Sequence, residues 1–124
     1  MINDLVEFVL LNRTSRVFIG WSKEDLQRAF YLAWQQQTLA YSIDALDNKV
    51  NGVCLASKNI EDKIITALEV LILPGAKGVL KSFISFYATL YPPQQGWTLK
   101  RCKRKLWKHY LVNTEALCRR ILQA

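Results

Sequence analysis

The chain is poor in the residues that build metal centres and disulfide frameworks. It has one histidine, His109, so no multi-histidine metal site can form. Its three cysteines, Cys54, Cys102 and Cys118, lie far apart and include no Cys-x-x-Cys. Neither a zinc site nor a thioredoxin-like redox pair is signalled. An odd count argues against a secreted disulfide scaffold, and buried free thiols are the expected state. Long apolar runs are also missing. The longest, "VLKSFISFYATLY" at 79–91, contains Lys81 and falls short of the ~20 residues that span a bilayer. At the start, "MINDLVEFVLLN" is broken by Asp4 and Glu7, and no basic stretch precedes it. A signal peptide is therefore not expected. Repeats, low-complexity blocks and linkers are absent. The expectation is one soluble, cytoplasmic domain over 1–124 with no membrane span.

What is present is a core. Of 124 residues, 51% are hydrophobic and 22% charged, and four Trp, five Tyr and five Phe supply large apolar area. The net charge of +7 is localised. Residues 1–99 hold nine Lys/Arg and nine Asp/Glu, whereas 100–124 hold eight Lys/Arg and only Glu115. A basic segment of this kind attracts polyanions such as nucleic acid or an acidic protein. It also serves simply as a solubilising face.

The spacing of apolar residues predicts the elements. Residues 4–11 fit either strand or helix. "VFIGW" at 17–21 reads as a short strand or its end. Ser22 with Asp25 forms a capping-box pattern before a helix over about 23–36. "TLAYSID" and "KVNGVCLA" flank the turn residues Asp47 and Asn48, which predicts a hairpin. Gly52 inside the second strand marks a bulge or a close backbone approach. "KIITALEVLIL" at 63–73 is nearly continuous in apolarity, as in a central strand covered on both faces. After Gly78 the period becomes helical, with Val79, Phe83, Phe86/Tyr87 and Leu90 near one face, until Pro92 and Pro93. "GWTLKRCKRKLWKHYL" is ambiguous, and its first half is read as strand. Asn113 or Thr114 caps a final short helix. The sum is an α/β domain with a mixed central sheet and flanking helices.

"LILPGAKGVLKSF" at 71–83 joins the central strand to a helix. Such a joint leaves about four N–H groups without helical partners at the positive end of the helix dipole, where an anion binds. The expected donors are the amides of Ala76, Lys77, Gly78, Val79 and Leu80, with the Lys77 ammonium adding charge. The spacing fits neither a Walker loop nor a dinucleotide fingerprint.

The layout over 38–120 resembles the GNAT family of acetyl-CoA-dependent N-acyltransferases. In that family a hairpin precedes a long central strand, a pyrophosphate turn Arg/Gln-x-x-Gly-x-Gly/Ala, and a helix. "Leu73-Pro74-Gly75-Ala76-Lys77-Gly78" matches at Gly78 and departs at Leu73 and Ala76. The resemblance implies acetyl-CoA or another acyl-CoA as cofactor, held by Leu71, Leu73, the 76–80 turn and Asn113. It also implies a general base, at Glu69 on the central strand. A carboxylate among Leu68, Val70 and Leu71 is desolvated, which suits that role; the alternative is a Glu on the solvent side of a strand. "Asn113-Thr114-Glu115-Ala116" matches the family's Asn-x-x-Ala, but the tyrosine that follows is replaced near Arg119 and Arg120. Tyr110, Tyr87 or Tyr91 would then supply the acid. The resemblance points to a trimmed or diverged member, possible as a virus-encoded protein of the host cytoplasm.

Two functions stay open at this point. One is N-acyl transfer to a small amine or an acidic macromolecule. The other is a non-catalytic basic module that keeps the fold and binds nucleic acid or a partner protein. In either, Lys100, Arg101, Lys103, Arg104, Lys105 and Lys108 form the polyanion contact, with Trp107, His109 and Tyr110 interleaved. A helical protein that docks through a basic helix is the third reading, opposed by the hairpin signal.

Overall fold

The computed structural model describes residues 1–14 and 17–101. The predicted terminal helix and most of the basic segment lie outside these residues. Two helices come first. In α1 (Ile2–Asn12) Leu5, Val6, Phe8 and Val9 turn inward, and this 3–4 spacing settles the helix-or-strand question. In α2 (Lys23–Gln35) the capping box is complete: Ser22 Oγ accepts from Asp25 N at 3.1 Å, and Asp25 Oδ2 accepts from Ser22 N. Leu26, Ala29, Phe30 and Ala33 form its buried stripe.

The stretch 17–21, expected as a strand, is a bend. Phe18 and Gly20 both take positive φ, 57° and 77°, which an extended strand cannot contain. The connection instead drops two rings into the core. Phe18 sits edge-on to Trp21 and to Phe30, with centroids 6.1 and 6.0 Å apart.

The predicted hairpin follows as β1 (Leu39–Ile43) and β2 (Val50–Asn59), then β3 (Ile64–Ile72), α3 (Val79–Leu90), a short 3-10 turn and β4 (Thr98–Arg101). Sheet order is β1-β2-β3-β4. The first two pairings are antiparallel, and β3–β4 is parallel. The sheet is thus mixed, and α3 is the crossover that a parallel pair requires. β3 lies inside the sheet with helices on both faces, which explains its continuous apolarity.

Two cores result. On one face α1, α2, Phe18 and Trp21 pack against Leu39, Val53, Leu55 and Leu71. On the other, Val79, Phe83, Tyr87 and Tyr91 pack against Ala40, Cys54, Ala56 and Ile65. The stripe of α3 is narrower than the sequence implied. Phe86 and Leu90 are exposed, because one helix on this face buries only the row Val79–Phe83–Tyr87.

Two irregularities shape the sheet. Between Ser42/Ile43 and Gly52/Val50 the register slips, so Asn51 is an extra residue on β2. Between Leu55/Glu69 and Ala56/Ala67 it slips again, so Leu68 is an extra residue on β3. Both are β-bulges. Gly52 also meets the second reading made of it. A Cβ there would lie 2.6 Å from Val79 Cγ1 and 3.3 Å from Phe83 Cζ, so only glycine lets the start of α3 lie this close to the sheet.

Candidate functional site

β3 passes into α3 through Leu73–Gly78. Leu73 N donates to Asn51 O at 2.9 Å, extending the sheet by one bond. Ala76 N then donates to Leu73 O at 3.1 Å and closes the turn. Gly75 (φ 85°) and Gly78 (φ 76°) supply the left-handed positions, which a side chain would strain. Gly78 is the N-cap of α3 and offers no capping side chain. Ser82 N is bonded to Gly78 O, so the amides of Val79, Leu80 and Lys81 have no helical partner. The predicted donor set therefore changes at both ends. The Ala76 amide is engaged within the turn and drops out, and Lys81 joins. Lys77 is exposed, as a charge for an anion must be.

Among the described residues, β3–β4 pairing runs from Ile64–Thr98 to Ala67–Arg101. Beside this pairing, on the α3 face, lies a cavity of about 260 Å³. Its floor is Cys54, Ala67 and Val70, its wall Leu80, Phe83, Ile84 and Tyr87, and its rim Leu99, Lys100 and Arg101. The first turn of α3 thus belongs both to the amide cradle and to the cavity wall.

Glu69 is 5% exposed. It opposes Leu55, beside the bulge at Leu68, and this register puts it on the α1/α2 face. The solvent-side alternative is excluded. It does not line the cavity, which opens on the other face. Leu71 is buried in the α1/α2 core and Leu73 packs on its margin, so each offers a ligand only its backbone. Val79 likewise buries its side chain under α3.

The tyrosines divide. Tyr87 O–H donates to Thr38 O at 2.7 Å, and Tyr91 O–H donates to Gln37 O at 2.8 Å. Both clamp α3 to the α2–β1 connection, and Lys58 Nζ supports the clamp by donating to Gln36 O at 2.9 Å. Burial pushes the Tyr87 hydroxyl well above its usual range. Because both hydroxyls donate to backbone carbonyls, neither tyrosine is placed as a proton donor to a ligand. Tyr110 and Asn113 lie outside the described residues, as do Lys103, Arg104, Lys105 and Lys108. Lys100 and Arg101 are exposed and, among the described residues, form no ion pair.

No protein-family model, curated protein or solved structure matches this chain. Its chemistry is therefore read from its own residues.

Three features were not anticipated from the sequence. One is the bulge beside Glu69. Another is the Cys54–Tyr87 pair, a thiol and a phenol sharing a hydrogen bond at the cavity floor; burial lifts the Cys54 thiol to about 11. The third is a larger groove of about 590 Å³ between α1 and the β1–β2 turn, lined by Asp4, Glu7, Asp44 and Asp47 among others. Its acids are scattered over forty residues, and only the turn chemistry of Asp47 was visible in sequence. Among the described residues no His/Cys/Asp/Glu group could hold a metal, and no helix is long and apolar enough to cross a membrane.

Proposed function

We propose that this chain is a small acyl-CoA-dependent N-acyltransferase of GNAT type. The observation that carries the reading is the joint of β3 and α3. The helix that links the parallel strands β3 and β4 begins with a glycine cradle, and an apolar cavity lies between its first turns and the sheet. The order helix–helix–strand–strand–strand–helix–strand supports the same reading. Acyl-CoA supplies an activated thioester to the acceptor amine. The amides of Lys77, Gly78, Val79, Leu80 and Lys81, with the Lys77 ammonium, bind its pyrophosphate. The edge of β3 beyond Ala67 orients the chain that follows, through backbone groups of residues such as Leu71 and Leu73. A carboxylate oxygen of Glu69, which is buried on the α1/α2 face, takes the acceptor's proton through water. The Tyr110 hydroxyl returns a proton to the leaving group, since those of Tyr87 and Tyr91 are engaged. Asn113 completes the family's cofactor set. Of the two acceptor classes a small cationic amine is favoured, because the larger groove is acidic.

The test is stabilisation by CoA. At ~100 times its dissociation constant a ligand adds roughly 2.7 kcal/mol. Gly78→Asp should abolish that gain by placing a carboxylate, at a positive φ, where pyrophosphate approaches. No thermal shift at millimolar CoA removes the acyltransferase reading. Given turnover, Glu69→Gln should lower it by about 10²–10⁴ with CoA affinity retained.

The second reading is the non-catalytic basic module. It is favoured by Lys100 and Arg101, two exposed cations at the rim of the cavity that open a segment carrying the whole charge excess.

A further inference from the structure

Among the described residues β1 forms one border of the sheet, with β2 as its only strand partner. The other side of a border strand presents backbone N–H and C=O groups that template pairing with another chain. Natural sheets guard such borders with lysine, proline, inward charges or bulges. The sequence of β1, "LAYSI", has none of these side chains. The bulge at this end places its extra residue, Asn51, on β2, so β1 itself stays regular.

Strand alternation gives the border two unlike faces. Leu39, Tyr41 and Ile43 lie on the α1/α2 face, with Tyr41 40% and Ile43 47% exposed. Ala40 and Ser42 lie on the α3 face. α2 packs against β1 and β2 on the first of these sides and adds two exposed aromatics, Tyr31 and Trp34.

From this border we infer self-association: two copies pair β1 with β1, antiparallel about a two-fold axis, and their sheets become one. The strand's chemistry selects a second copy. Centred on Tyr41, the pairing sets Leu39 opposite Ile43, Ala40 opposite Ser42, and Tyr41 opposite itself. One face then carries an unbroken row of Leu, Tyr and Ile from both chains. The other carries only Ala and Ser. Asp44, next in the chain, meets Thr38, so no like charges face each other. A charged partner strand finds no countercharge on "LAYSI", whereas an identical strand meets neither repulsion nor an unpaired ion. The interface is isologous and closes at two copies.

Sedimentation velocity on the full chain tests this, with hydrogen exchange as a second readout. The wild type should sediment at twice the chain mass at high micromolar concentration and dissociate on dilution. Amides of Leu39, Tyr41 and Ile43, which point away from β2, should lose protection in step. Tyr41→Lys places two ammonium groups face to face on the two-fold and should give a monomer. Its fold should be intact by circular dichroism, since Tyr41 is on the surface. Leu46→Lys adds the same charge at the hairpin tip, where Leu46 is 98% exposed, and should leave the dimer unchanged. A wild type that is monomeric at several hundred micromolar overturns the proposal. So does a Tyr41→Lys variant that still dimerises, or a Leu46→Lys variant that dissociates equally.

Discussion

Gly52→Ala is a one-methyl change with a calculable conflict. The new Cβ would sit 2.6 Å from Val79 Cγ1 and 3.3 Å from Phe83 Cζ. The first distance is below any carbon–carbon contact, and Val79 is buried at the start of α3, so the helix must shift or the side chain leave its rotamer. Overpacking of this kind costs typically about 1–3 kcal/mol. The lower entropy of unfolded alanine offsets roughly 0.4–1 kcal/mol of that. A net loss of about 1–2 kcal/mol remains. For a domain of this size that is a fall in Tm of roughly 3–10 °C. Urea unfolding followed by circular dichroism measures it, as a shift in midpoint with an unchanged slope. Val79→Ala removes the atom that is struck, so the Gly52→Ala/Val79→Ala double variant should lose less than the sum of the singles. A coupling of about 0.5–3 kcal/mol is expected for residues in contact. A Gly52→Ala protein as stable as wild type, or singles that simply add, would refute the claim that glycine is required for this approach.

Other outcomes follow from single features. Ser22→Ala removes one partner of the α2 capping box and should cost about 1 kcal/mol by the same urea assay. The Cys54 thiol is held at about 11 against an ordinary 9.0. The unfolded chain therefore releases this proton first; the thiol's contribution is complete below about pH 9 and is lost as pH rises toward 11. Cys54→Ala should flatten that part of the stability curve, and native Cys54 should resist alkylation at pH 8. If four of Lys100, Arg101, Lys103, Arg104, Lys105 and Lys108 contact duplex DNA, log K should fall with log salt at a slope of about −3.6. Lys103, Arg104 and Lys105 changed to Gln should flatten it; absence of salt-dependent binding to DNA, RNA or heparin would end the nucleic-acid reading.

Much of the architecture was legible where local chemistry and long-range packing agree. Ser22 and Asp25 began α2 because the capping box is a local device. Asp47 and Asn48 marked the hairpin for the same reason. β3 announced its place in the sheet because burial on both faces leaves no polar positions. The misses are tertiary. "VFIGW" has strand composition, but left-handed backbone at Phe18 and Gly20 bends it, and its rings reach the core without a ladder. Phe86 and Leu90 fit the α3 period, yet a single helix on a sheet buries only a narrow row. At the site, the glycine turn was readable from Gly75 and Gly78. That Ala76 N is engaged by Leu73 O was not, because turn closure depends on φ and ψ. The cavity was also invisible, since its lining comes from β2, β3, α3 and β4, which are far apart in sequence.

The extra residue at Leu68 has a consequence for how this chain tolerates change in length. In a regular strand, removing one residue swaps the two faces for everything beyond it, and an apolar lining becomes an exposed one. In β3 that inversion has already been absorbed. Ala67 and Val70 face the same core although three positions separate them. Loss of Leu68 would straighten the strand and leave Glu69, Val70, Leu71 and Ile72 on the sides they now occupy. Loss of Thr66 or Val70 would turn part of the strand inside out. The bulge is thus the one place in β3 where the residue count is slack, and it adjoins Glu69. A length variant there would keep Glu69 on its face and the sheet intact.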